Sequence, residues 1–166
     1  MIEVADRTAR ESIIVRVADV MTEASISESP TDTLRAAAAL MWREQTGSLV
    51  VLDRDALVGI ITERDILKAT AQDVDVDALT VGEAMTAEVV TTTAEVSIHD
   101  AARVMAQHWI RHLPVVDGER VVGMLSQRDI MGVFAALRRE TGAAEIDSDE
   151  LVRTRRLARI GPGDLD

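Results

Sequence analysis

Apolar positions along this chain fall into short runs and helical stripes that recur in the same order. Ser12–Arg16 is a β-branched run that predicts a strand, Val17–Met21 predicts one helical turn, and Ile26 and its neighbours extend. Pro30-Thr31-Asp32-Thr33 followed by LRAAAALMWREQ predicts a capped helix, with Gly47 as its stop. Leu49–Leu52 and Leu57–Ile61 flank Asp53-Arg54-Asp55 and predict a hairpin, and Thr62–Ala71 returns to helix. After an acidic stretch at residues 73–80, the order repeats. A turn is expected at Val81–Met85, a strand at Val89–Thr92 and a helix at Ser97–Trp109. Strands at Leu113–Val116 and Arg120–Leu125 and a helix at Ser126–Arg138 come next, with a further helix expected at Ser148–Ile160.

The recurrence is also one of residues. Val17–Leu67 and Val81–Met131 align without a gap at an offset of 64, and 14 of 51 pairs are identical, where unrelated segments would share about three. The identities include Met21/Met85, Ala37/Ala101, Met41/Met105, Asp53/Asp117, Gly59/Gly123, Arg64/Arg128 and Asp65/Asp129. One such unit is too small to bury its apolar face well, so two facing copies should share a core and enclose a crevice. The expected class is α+β: two β-α-β-β-α repeats with pseudo-two-fold symmetry. Residues 1–16 form an arm and strand, 17–72 the first repeat, 73–80 a linker, 81–139 the second repeat and 140–166 a polar tail.

Composition narrows the function. The 166 residues are 47% hydrophobic but 2% aromatic, so Ala, Val, Ile, Leu and Met must fill the core. Residues 17–137 carry 19 acidic and 9 basic side chains, a net −10 of the chain's −11. That charge repels phosphate backbones and argues against nucleic acid as a partner. Cysteine is absent, which removes thiolate chemistry and Cys-based metal sites. With no apolar leader and no membrane-length apolar run, a cytoplasmic protein is expected. His99, His108 and His112 lack metal-ligand spacing, and no Ser/His/Asp order, Gly-rich phosphate loop or carboxylate pair supports catalysis. The methionines read as core, and Trp42 and Trp109 as packing or dimer-interface residues. Arg153, Arg155, Arg156 and Arg159 make a local basic patch in the tail, read as a solvated or self-docking helix rather than an RNA contact.

Two motifs carry chemistry. Gly59-Ile60-Ile61-Thr62-Glu63-Arg64-Asp65 is matched by Gly123-Met124-Leu125-Ser126-Gln127-Arg128-Asp129. In each, a strand ends, a hydroxyl caps a helix and an Asp sits at the third helical position. Capping alone would explain the pattern. The free N–H groups of a helix start also suit an anion, and an Asp suits the cis-diol of a ribose. The second motif, Ile110-Arg111-His112-Leu113-Pro114-Val115-Val116-Asp117, leads two cations into a buried strand. They complement the preceding helix dipole or bind phosphate. The first repeat has the neutral Thr46-Gly47-Ser48-Leu49-Val50 there.

This pattern, V-x-x-x-M-T, an Ala-rich helix, HLPVVD and a doubled G-x-x-[ST]-x-x-D, resembles the cystathionine-β-synthase (CBS) domain. Two in tandem resemble the Bateman module, and the likeness runs from Val17 to about Val133. It implies a homodimeric, non-enzymatic regulatory protein that binds an adenine nucleotide (AMP, ADP or ATP) between repeats, with no cofactor or metal. It also implies two sites. One joins Thr62, Arg64 and Asp65 to Val89, Val90, Ile110, Arg111 and His112. The other joins Ser126, Arg128 and Asp129 to Ser25, Ile26, Thr46, Gly47 and Ser48, and so lacks the extra cations. The alternatives are a dimerisation module with no ligand, or the regulatory partner of a separate enzyme.

Overall fold

The computed structural model describes residues 14–23 and 26–141. The expected N-terminal arm, Ser12 and Ile13 of the first strand, the tail helix and its arginines lie outside them, as does Ser25. The rest of that expected strand, residues 14–16, makes only an isolated bridge from Arg16 to Ser97. The chain divides into two compact units, Met1–Val133 and Phe134–Asp166. Both sheets, and every element up to the start of the last helix, belong to the first unit.

A 3-10 turn at Val17–Asp19 leads to β1 (Thr22–Glu23) and β2 (Ser27–Glu28). Helix α1 (Leu34–Glu44) starts on Thr33, whose side chain accepts from the Ala36 N–H. Strands β3 (Ser48–Asp53) and β4 (Ala56–Thr62) form the expected hairpin, and α2 (Glu63–Ala71) begins directly after it. Arg35 pairs with Asp77, and the Leu34 and Arg35 N–H groups donate to Leu79 and Val76, so the linker lies along the start of α1. The second copy comprises α3 (Val81–Ala84), α4 (Ile98–His108), β5 (His112–Asp117), β6 (Arg120–Ser126) and α5 (Gln127–Thr141).

The structural units are not the sequence repeats. Sheet one has order β2-β3-β4, but sheet two is β1-β6-β5, so Thr22–Glu23 of the first copy edges the sheet of the second. Thr86 of the second copy in turn bridges Ile60 of the first. The cores are divided in the same way. Val17 is fully buried with Leu113, Val115 and Leu125, whereas Val81 is buried with Leu34, Leu49 and Ile61. Each copy thus lends its leading turn to the other's core, which locks the two together by hydrophobic burial.

Three expectations change. Val89–Thr92 is not a strand; only Thr92 meets the edge of β5, bonding the Pro114 carbonyl and the Val116 N–H. The cause is Pro114, which has no N–H to offer the preceding segment. Its counterpart Val50 does donate to the Ile26 carbonyl, at 3.3 Å, and there β2 forms. Gly47 is not the helix stop: Gln45 takes the left-handed position at φ 54°, as Trp109 does at φ 56° after α4. Met41 and Met105 are core, but Met131 is exposed, as are Trp42 and Trp109.

Candidate functional site

At both helix starts the capping geometry is present. The Thr62 N–H and hydroxyl donate to Asp65 Oδ2 at 2.8 and 2.7 Å, and those of Ser126 donate to Asp129 Oδ2 at 2.8 and 2.6 Å. Capping engages one oxygen of each carboxylate. Among the described residues no donor reaches either Oδ1, which leaves each Asp with acceptor capacity beyond its structural role. Thr80 with Glu83 makes a similar cap that lines neither the cavity beside Asp65 nor the one beside Asp129, so an acid at this position is not by itself a sign of function.

Asp65 faces a cavity of about 170 Å³. Thr62, Arg64 and Asp65 form one wall, and Val89, Val90, Ile110, Arg111 and His112 stand across from them on the second copy. All eight residues expected together are together. Ile60, Thr86, Glu88 and Trp109 complete the lining and were not foreseen. Trp109, expected to serve packing or a dimer interface, lines this cavity instead, because it occupies a left-handed turn that Trp seldom adopts.

Asp129 faces a larger cavity, about 710 Å³, within the usual range for small-molecule sites. Ser126, Arg128 and Asp129 meet Ile26, Thr46, Gly47 and Ser48 there. Thr22, Glu63, Met124, Gln127 and Met131 also contribute, as do Glu44 and Gln45 at the end of α1. Ser48 is 3% exposed, and its buried Oγ has no hydrogen-bond partner among the described residues. Arg111 and His112 line this cavity too. The expectation that they serve the Asp65 side alone therefore fails. The reason is that β5 begins at His112, in register with Ser126, so the pair sits beside the Asp129 turn as well as opposite the Asp65 turn.

Electrostatics agree with that placement. Burial, and then the Arg111 guanidinium, push the His112 imidazole below its ordinary pKa, while Glu63 and Asp129 pull it back. Arg111 Nη2 lies 4.0 Å from Glu63 Oε2, both half-exposed. Arg64 and Arg128 have no ion-pair partner among the described residues. No group of metal-ligating side chains occurs among those residues, and no helix there is long and apolar enough to cross a membrane.

The family model for the CBS domain matches the chain twice, at residues 17–72 and 81–136. The chain belongs to the CBS-domain family. It is 39% identical over 115 residues to the CBS domain-containing protein YhcV of Bacillus subtilis, covering 69% of this chain and 81% of that one. The CBS domain pair of protein MJ0100, solved with 5′-methylthioadenosine and S-adenosyl-L-methionine, superposes with a TM-score of 0.68 at 32% identity. That match covers 74% of this chain and 98% of the other. A hexameric CBS-CP12 protein from bloom-forming cyanobacteria superposes at 0.69 and 29% identity, over 89% of this chain and 86% of that one.

Proposed function

We propose that this CBS pair is a regulatory sensor that binds an adenine nucleotide between its repeats and catalyses no reaction. The observation that carries the reading is the Asp65 cavity. There a carboxylate with a free Oδ1, a cation at Arg64, the apolar Val89, Val90 and Ile110, a second cation at Arg111 and the His112 imidazole converge from two repeats. The carboxylate suits ribose hydroxyls, the cations suit phosphate, and the apolar wall suits the base. That MJ0100 holds two adenosine compounds supports the same ligand class. The Asp129 cavity is a second site of the same kind, with Arg128 in place of Arg64 and Ile26, Met124 and Met131 as its apolar lining. A homodimer is the proposed assembly, in keeping with the exposed Trp42, Leu67 and Met131.

A thermal-shift panel of adenosine, AMP, ADP, ATP and S-adenosylmethionine tests the reading. Ligand at 100 times its dissociation constant adds about 2.7 kcal/mol, or roughly 5–10 °C for a domain of this size. No shift with any of the five would sink it. Bound ATP should also survive prolonged incubation, and multiple-turnover phosphate release by protein free of contaminating ATPase would overturn the non-enzymatic assignment.

A further inference from the structure

We infer that Arg111 and His112 couple the two cavities, so that a polyphosphate ligand in one weakens polyphosphate binding in the other. The inference rests on the nucleotide reading and adds a regulatory property to it. Both side chains line both cavities, whereas Arg64 lines only the smaller and Arg128 only the larger. Each site therefore has one guanidinium of its own and one, Arg111, that it must share, with the His112 imidazole beside it.

The shared pair sits at a narrow point. A Cβ built on Gly47 would lie 3.1 Å from Glu63 Oε2 and 3.4 Å from His112 Cε1, and that Glu63 oxygen is the one facing Arg111. Glu63, the first residue of α2, also donates its N–H to the Gly47 carbonyl. Gln127, the first residue of α5, does the same to the Arg111 carbonyl. The two helix starts are thus tied to the two loops that meet there. A guanidinium engaged by phosphate in one cavity is withdrawn from the other. The second polyanion then loses a charge-assisted contact and meets the negative charge of the first at short range, where screening is least. A nucleoside without phosphate makes no use of these cations and escapes the effect.

Isothermal titration calorimetry of the intact chain with adenosine and with ATP tests this. Adenosine should bind both sites without interaction. For ATP the second step should be about 10- to 100-fold weaker than the first, the loss expected for one charge-assisted hydrogen bond. Arg111→Ala should weaken the first ATP step and bring the two to within a few-fold, while Arg111→Lys, which keeps the charge, should preserve most of the gap. Equal ATP steps in the unmodified protein, or a gap that survives in Arg111→Ala, would overturn the coupling while leaving adenosine binding intact. If neither adenosine nor ATP binds either cavity, the nucleotide reading itself fails, and the coupling with it.

Discussion

Met85 lays its thioether over the bare α-carbon of Gly59, in the space a Cβ would need. Met21 stands in the same relation to Gly123, where a Cβ would lie 3.1 Å from the Met21 sulfur and 2.7 Å from the Thr22 carbonyl oxygen. Each methionine comes from the copy opposite its glycine. These two contacts are where the exchanged leading segments close onto the sheets, and at Gly123, where the nearest atom is backbone, the glycine is required for that close approach.

The two contacts should respond differently to Ala. At Gly59 the obstacle is a flexible side chain, so Gly59→Ala costs little once Met85 rotates, and Met85→Ala should suppress what cost there is. At Gly123 the obstacle includes backbone that pairs β1 with β6. Gly123→Ala should therefore cost about 1–3 kcal/mol, with no rescue by Met21→Ala. Urea denaturation of the four single variants and the two doubles decides it. A larger cost at Gly59, or rescue at Gly123, would contradict the assignment of obstacles.

The dual use of Asp65 predicts two separable losses. Asp65→Ala removes a cap worth about 0.5–2 kcal/mol and, on the proposed function, ribose contacts worth about 10- to 100-fold in affinity. Glu83→Ala removes a comparable cap from a helix start that lines neither of the two cavities. It should lose stability alone. Calorimetry on folded protein distinguishes them, and equal ligand affinity in both variants would remove Asp65 from the site.

The sequence made the capped turns and the repeat legible, because Thr62/Asp65 and Ser126/Asp129 are local patterns with a local geometry. The exchange of leading segments was not legible. Val17 and Val81 are identical pattern positions, and periodicity does not say which copy's core receives each. The sharing of Arg111 and His112 was hidden for a similar reason: a residue at the seam between repeats faces whichever cavities the packing opens beside it. The missing strand at Val89–Thr92 was readable in principle, since Pro114 marks the N–H that its β-branched run would have needed.

Ser48 gives a test in the opposite direction from most substitutions. Its buried hydroxyl lacks a protein partner in the described residues, and an unsatisfied buried polar atom costs about 1–3 kcal/mol. Ser48→Ala should leave the unliganded protein equally stable or more so, while reducing ligand-induced stabilisation at the Asp129 cavity. Marked destabilisation of the ligand-free variant, measured by denaturant unfolding, would mean that the hydroxyl has a structural partner.

His112 predicts the pH dependence. Its folded pKa lies below the ordinary value of 6.5, chiefly through burial and then through Arg111. The unfolded chain therefore binds more protons in that interval, and stability rises with pH there. The contribution is complete above about pH 6.5 and is lost as pH falls through the folded pKa. A polyphosphate placed beside His112 reverses the balance, because the anion favours imidazolium. The groups acting on the ring are Arg111 and Arg128, which oppose protonation, and Glu63 and Asp129, which favour it. ATP binding should therefore take up a proton, and ATP affinity should gain on adenosine affinity as pH falls from 7.5 to about 6. Comparing unmodified protein with His112→Gln at each pH cancels the titration of ATP itself. An identical ATP-to-adenosine ratio across that range in both proteins would show that His112 does not face the phosphates.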